Sequence, residues 1–242
     1  MINGLSLFSG IGGIDIALKE FVRPVAYCEI DPYCQGVLLS NMERKLIIPA
    51  PIWDDIRTMS GNSFQREEID IIYGGFPCQD ISIARIGKGL AGERSGLFFE
   101  IARLCSEIKP RFIFLENVPA IISRGGTEVI RKIAEMGYDC RWCVISAASV
   151  GAVHKRERWF LLAHAKGERF KEERQPMREE ERQSGPNSIS KYEISNQGKE
   201  SPSPFLGVDD DVSRRVDRIK ALGNAVVPCQ AKEAFKILIG LK

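Results

Sequence analysis

The segment Leu5–Gly13 constrains the fold more than any other part of the chain. Leu5, Leu7 and Phe8 form an apolar run that breaks into Ser9-Gly10-Ile11-Gly12-Gly13, after which Ile14, Leu18 and Phe21 recur at helical spacing. A strand that turns on glycines directly into a helix is the unit from which βαβ layers are stacked. The same change of period recurs downstream. Val25–Cys28, Ile69–Tyr73, Phe112–Leu115 and Trp159–Ala163 read as strands. Between them, Phe98, Ile101, Ala102 and Cys105 line one helical face, and Val129, Ile130, Ile133 and Ala134 another. Residues 1–164 are therefore predicted to form an α/β unit of stacked βαβ layers around a mostly parallel sheet.

The pattern changes after His164. Residues 166–200 hold eight basic and eight acidic side chains but only five large apolar ones, Phe170, Met177, Ile189, Tyr192 and Ile194. Such a stretch buries too little apolar surface to fold alone, which leaves two readings for 165–213: a solvated, partly disordered insertion, or a lobe ordered by a partner. A closing segment, 214–242, returns to the core. In it Pro228 suits a first helical turn, and Ala231, Ala234, Phe235 and Leu238 make an amphipathic stripe.

With 34 basic against 32 acidic residues in 242, the chain is not a charge-driven nucleic-acid binder of the histone type. Its seven cysteines are an odd number without the density of a disulfide scaffold, so a reducing compartment is expected. The start of the sequence reads as lacking a leader, and no apolar run approaches the roughly 18 residues that span a bilayer. A soluble, cytoplasmic protein with no membrane partner is the expectation.

Three places carry chemistry. The glycine turn lies where backbone N–H groups meet a polar or anionic cofactor, although its G-x-G-G spacing is not that of dinucleotide binders and such turns also serve purely structural ends. Glu29, at the tip of the second strand, is placed to accept hydrogen bonds from ribose hydroxyls. Cys78 follows the strand Ile69–Tyr73 through Gly74-Gly75-Phe76-Pro77, at the strand edge where open α/β sheets bind ligands. It is the candidate nucleophile, whereas Cys28, Cys34, Cys105 and Cys229 read as small buried hydrophobes. Glu116 ends the apolar strand Phe112–Leu115; it is either a helix cap or a desolvated acid able to donate a proton near neutral pH. Together Cys78 and Glu116 fit one reaction. A thiolate adding to carbon 6 of cytosine while an acid protonates N3 makes carbon 5 nucleophilic toward an electrophilic methyl group.

The ordered series Phe8-Ser9-Gly10-x-Gly12-Gly13, Gly75-Phe76-Pro77-Cys78-Gln79, Glu116-Asn117-Val118, Lys155-Arg156-Glu157-Arg158 and Gly223-Asn224-Ala225-Val226-Val227-Pro228 resembles the cytosine-C5 DNA methyltransferases. The match covers about 1–164 and 214–242. The resemblance implies a Rossmann-like fold with a mixed, mostly parallel sheet flanked by helices, S-adenosyl-L-methionine as cofactor and a cytosine flipped out of double-stranded DNA. It casts Cys78 as nucleophile, Glu116 as the group engaging N3 and the exocyclic amine, Asn117 as the holder of that carboxyl, and Arg156 and Arg158 as orienters of the flipped base and its phosphate. Phe8, Ser9, Gly10, Gly12, Gly13, Glu29, Ile30, Asp55, Ile56, Pro77, Leu97, Asn224 and Ala225 would line the cofactor pocket. Gln79, Ser82, Lys155, Arg214, Arg215 and Arg218 would meet DNA. A monomeric enzyme of bacterial, archaeal or phage type is implied, with a companion restriction endonuclease as a further partner.

The departures are as informative. His154 stands where the family commonly has glutamine, and Ile30 where an aromatic often stacks on adenine. The variable region Trp159–Ser213 spans only 55 residues. That leaves two rivals open: the branch methylating tRNA cytosines with the same motifs, and a non-catalytic subunit of a split enzyme. Cys140-x-x-Cys143 reads as part of a core strand and not as half a metal site, because His154 and His164 do not give the closing spacing.

Overall fold

The computed structural model describes residues 1–65, 68–77, 96–167, 217 and 220–241. Its strands are β1 (Ile2–Leu7), β2 (Val22–Cys28), β3 (Ile52–Trp53), β4 (Ile71–Gly75), β5 (Phe112–Asn117), β6 (Tyr138–Ser146) and β7 (Glu157–Ala165). The helices are α1 (Gly13–Leu18), α2 (Pro32–Glu43), α3 (Leu97–Ile108), α4 (Ile121–Arg124), α5 (Gly126–Glu135) and α6 (Pro228–Ile239). All seven strands join one sheet in the order β3-β2-β1-β4-β5-β7-β6. Pairings are parallel except those of β7, which runs against both β5 and β6. The predicted mixed, mostly parallel sheet is thus observed.

Central strands buried on both faces must be apolar throughout, and β5 is: Phe112, Ile113, Phe114 and Leu115 are each at most 2% exposed. Alternation then sends side chains to two cores. Leu5, Leu7, Ile72, Ile113, Leu115 and Leu161 pack against α3 and α5 on one face. Ile71, Tyr73, Phe112, Phe114, Phe160 and Leu162 meet α1 and α6 on the other. The predicted closing stripe Ala231, Ala234, Phe235 and Leu238 supplies that second face, with Phe235 edge-on to Phe114 at 5.2 Å between ring centroids.

One element differs from the sequence expectation. α2 was not foreseen: it starts on Asp31, whose carboxylate accepts from the Tyr33 and Cys34 N–H groups, with Pro32 in the first turn. Its buried side, Cys34, Leu38, Asn41 and Met42, includes an amide, so its apolar stripe is broken. The Cys140–Cys143 segment lies within β6, as expected. Three residues apart on a strand, the two thiols face opposite cores, so they cannot share an ion.

The chain reverses direction across the sheet between β1 and β4, whose carboxyl ends therefore open a crevice. The glycine turn closes one end, and Gly74-Gly75-Phe76-Pro77 forms the other.

Candidate active site

The turn after β1 uses three left-handed residues, Phe8 (φ 51°), Gly10 (φ 54°) and Gly12 (φ 82°). A non-glycine residue at positive φ is strained, so Phe8 must be held by what surrounds it. The Ser9 hydroxyl donates toward the carbonyls of Ser6 (3.2 Å) and Cys28 (3.3 Å), and the Ser9 N–H donates to Cys28 (3.1 Å). Asn41 Nδ2 donates to the Ile11 carbonyl at 3.0 Å. Glu29 braces the turn from β2, its Oε2 accepting the Gly10 N–H at 2.7 Å and its Oε1 the Asp31 N–H at 2.9 Å. Both carboxylate oxygens keep a second lone pair. Beneath lies a buried polar network in which Tyr73 donates to Asp15 Oδ1 at 2.8 Å, Ser6 bonds Asp15, and Ser6 and Ser9 hydroxyls sit 2.9 Å apart. Burial pushes the Asp15 carboxyl up to about 6.

The closing segment passes directly over this turn. A Cβ on Gly13 would lie 2.9 Å from the Val226 carbonyl, so only glycine admits the approach. This brings Asn224, exposed, and Ala225, half-buried, beside the glycine turn. Leu97 is half-buried against the core at the start of α3, and Pro77 is exposed at the end of the β4 loop. Ile56 is buried, while Ile30 is 62% exposed. Asp55 is clasped by Arg57 through its side chain (2.7 Å) and backbone N–H (2.9 Å), which lowers its carboxyl and occupies it locally.

At the carboxyl end of β5, Glu116 is 8% exposed and pairs in register with Gly75 of β4. Its Oε1 lies 2.7 Å from Arg158 Nε, an ion pair whose side chains are 10% and 12% exposed. The pair is close but lacks hydrogen-bond alignment, so both atoms are without a hydrogen-bond partner among the described residues. Two effects compete on the carboxyl. Desolvation raises it, Arg158 and Arg156 lower it, and desolvation wins, leaving it at about 7. Of the two readings for Glu116, the desolvated acid is the one these features fit.

Among the described residues Asn117 makes no hydrogen bond to that carboxyl, contrary to expectation; its Nδ2 donates to the Phe76 carbonyl at 2.8 Å and its Oδ1 accepts the Val118 N–H at 2.9 Å. It therefore fixes the backbone two residues before Cys78. Arg156 is also engaged, its Nη atoms donating to the carbonyls of Leu222 (3.3 Å), Gly223 and Ala225 (both 2.5 Å). The guanidinium expected at the base instead anchors the Gly223–Asn224 motif. Gln230, which the sequence reading passed over, closes the same joint by donating to the Ile145 (2.6 Å) and Arg156 (2.8 Å) carbonyls. Its signal was a glutamine within an apolar stripe. Lys155 is exposed beside these groups.

Cys78, Gln79, Ser82, Arg214, Arg215 and Arg218 lie outside the described residues. Among described cysteines, burial pushes the Cys28 and Cys34 thiols up to about 12 and those of Cys140 and Cys143 to about 11, with Cys105 higher still. These are weak nucleophiles at neutral pH. Cys229 is not buried as predicted. It points outward from the first turn of α6.

A seven-stranded sheet with β7 reversed beside its edge, and a glycine turn at the switch point, defines a Rossmann-like methyltransferase fold. The structure is similar to a DNMT2 from Spodoptera frugiperda (TM-score 0.58, 22% identity, 69% of this chain and 51% of that one). It is also similar to an Escherichia coli prophage protein described as a putative DNA modification methyltransferase (TM-score 0.55, 26% identity, 69% and 47%). The chain belongs to the C-5 cytosine-specific DNA methylase family, whose model matches residues 2–212. Type II methyltransferase M.CviJI of Paramecium bursaria Chlorella virus IL3A is 32% identical over 96% of this chain, and M.Bsp6I of Bacillus sp. (strain RFL6) is 34% identical over 73%. The chain spans 58% and 56% of the length of these two relatives.

Proposed function

We propose that this chain transfers a methyl group from S-adenosylmethionine to carbon 5 of a cytosine flipped out of double-stranded DNA. The observation that carries the reading is Glu116, a buried carboxyl at about 7 beside Arg158, one strand away from the loop leading into Cys78. A carboxyl poised there exchanges a proton with a ring nitrogen at neutral pH. Cys78 supplies the thiolate that bonds to carbon 6, and Glu116 holds the proton at N3, so that carbon 5 gains electron density. Arg158 keeps the carboxyl in place and faces the base oxygen. Asn117 aims the loop that carries the thiol.

The crevice fits the cofactor on structural grounds. The free lone pairs of Glu29 suit a ribose diol, and nothing crowds Gly10, where a Cβ would meet only the Phe8 carbonyl, 4.0 Å away. When bound there, S-adenosylmethionine supplies the electrophilic methyl group. Phe8, Gly12, Asn224 and Ala225 would enclose it.

On the same reading Lys155 meets a phosphate, the 165–213 stretch serves target recognition, and the enzyme works as a monomer in the cytoplasm beside a restriction endonuclease. The test is a covalent trap. A duplex carrying 5-fluorocytosine, incubated with protein and S-adenosylmethionine, should yield a denaturant-resistant adduct that Cys78→Ser does not form. Adduct formation on tRNA instead of duplex DNA would redirect the substrate; none on either would return the chain to a binding subunit.

A further inference from the structure

Among the described residues, two ion pairs tie the closing segment to the rest of the molecule. Lys232 on α6 meets Glu20, just after α1, at 2.8 Å. Lys220 meets Asp31, at the start of α2, at 3.2 Å. The second pair lies at the crevice. Asp31 uses Oδ1 to accept the Tyr33 and Cys34 N–H groups at 3.0 and 3.4 Å, which leaves Oδ2 for the lysine. Its own N–H is held by Glu29 Oε1, while Glu29 Oε2 holds the Gly10 N–H.

These contacts close a ring. It runs from Gly10 along the glycine turn to Gly13, crosses to Val226 where the two backbones touch, and follows the chain back to Lys220. It then passes through the ion pair to Asp31 and returns by way of Glu29 to Gly10. Gly10, Gly12, Glu29, Asn224 and Ala225, read above as lining the cofactor pocket, all lie on it, so a ligand that touches them all occupies the ring. Its links differ in strength. Arg156 clasps the 222–225 stretch at the Leu222, Gly223 and Ala225 carbonyls, and Glu29 binds two backbone N–H groups. The Lys220–Asp31 pair joins a side chain 65% exposed to one 29% exposed. A surface ion pair of this kind is weak and is screened by salt, so it is the link at which the ring opens.

We propose that the Lys220–Asp31 pair is a gate on cofactor exchange: it latches the ring with or without ligand, and S-adenosylmethionine enters, and S-adenosylhomocysteine leaves, while the pair is broken. This rests on the cofactor reading given above. A gate latched alike in the free and bound states slows entry and exit by the same factor and leaves the equilibrium where it was. A residue that binds the ligand or shapes its pocket shows itself instead in affinity.

The test is exchange of tritiated S-adenosylhomocysteine on the full chain, association and chase measured separately, with no turnover required. In the wild type both rates should rise about threefold as salt goes from about 0.05 to about 0.5 M, with Kd constant within about twofold. Lys220→Met and Asp31→Asn should each show that increase already at low salt and lose the salt response. Asparagine keeps an acceptor for the first N–H groups of α2, so the helix start is preserved. The double variant should exchange no faster than either single one, because both remove the same interaction. Lys232→Met breaks the other ion pair and should leave both rates at the wild-type value. Wild-type exchange rates in the Lys220 and Asp31 variants would overturn the proposal, as would a loss of affinity with an unchanged association rate, or an equal acceleration in Lys232→Met. A wild type that binds no S-adenosylhomocysteine would overturn the cofactor reading itself.

Discussion

Glu116 Oε2 stands 2.5 Å from the point where a Cβ on Gly75 would lie. The two residues are direct partners in the β4–β5 register, so the carboxylate folds back across the neighbouring strand instead of reaching over solvent. Glycine is required here by the acid and not by backbone conformation. Gly75→Ala should displace the carboxyl by an ångström or more and cut kcat/KM for methyl transfer on the order of 100-fold. S-adenosylhomocysteine affinity should stay within about twofold of wild type, since the glycine turn is untouched. Steady-state kinetics alongside calorimetry check both halves; unchanged kinetics would remove Glu116 from the reaction.

The ionisation of Glu116 should be visible directly. With its carboxyl raised to about 7 in the fold, stability contributed by the neutral form is complete below the ordinary value of 4.5 and is lost as pH rises through 7. Arg158 opposes that shift by favouring the charged form. Arg158→Met should therefore move the midpoint above 7. Carbon-detected titration of glutamate-labelled protein measures it, and a midpoint that falls instead would contradict the balance of desolvation over charge.

Asp15 offers a second pH signature with no active-site chemistry in it. Its Oδ2 is buried without a hydrogen-bond partner among the described residues, and the carboxyl is raised from 3.8 to about 6. The fold thus favours neutral Asp15, with full benefit below pH 3.8 and loss as pH passes 6. Asp15→Asn keeps the acceptor for Tyr73 and cannot ionise. Its stability relative to wild type should rise by on the order of 3 kcal/mol between pH 4 and 7.5, the equivalent of about two pH units. Urea unfolding at the two pH values is the measurement.

The closing segment should loosen when its anchor is cut. Arg156→Lys removes a fork that spans three carbonyls, and Gln230→Leu removes the bridge between Ile145 and Arg156. These carbonyls are half-buried or exposed, so each lost hydrogen bond costs about 0.5–1.5 kcal/mol. Hydrogen exchange at residues 223–227 should accelerate in both variants while β1 and β5 stay protected; protection equal to wild type would show that packing of α6 alone holds the segment.

What the sequence makes legible is set by distance along the chain. Ile69–Tyr73 and Phe112–Leu115 announce themselves because a strand covered on both faces has no polar positions to interrupt it. Glu116 is conspicuous for the converse reason, a carboxyl ending such a run. α2 escaped because Asn41 sits on its buried side to hold the Ile11 carbonyl, thirty residues away, although Asp31-Pro32 carried a capping signature. Motif position alone casts Asn117 as the holder of the Glu116 carboxyl and Arg156 as an orienter of the base. Their partners, Phe76 and the Leu222–Ala225 carbonyls, lie 41 and 66 to 69 residues away and leave no local trace. The role of Gly75 likewise depends on a side chain contributed by another strand.

The reversal of β7 has a consequence for how acid and cation come to share one mouth of the sheet. In a parallel neighbour, a residue at the start of the strand would face the opposite rim from one at the end of β5, roughly 17 Å away for a strand of this length. Because β7 runs the other way, its entrance abuts β5's exit: Asn117 stands opposite Trp159 and Glu116 opposite Phe160. A single inverted strand thus lets Arg158 arrive at the rim before the chain dives into the core, and it needs no long loop to carry the charge there.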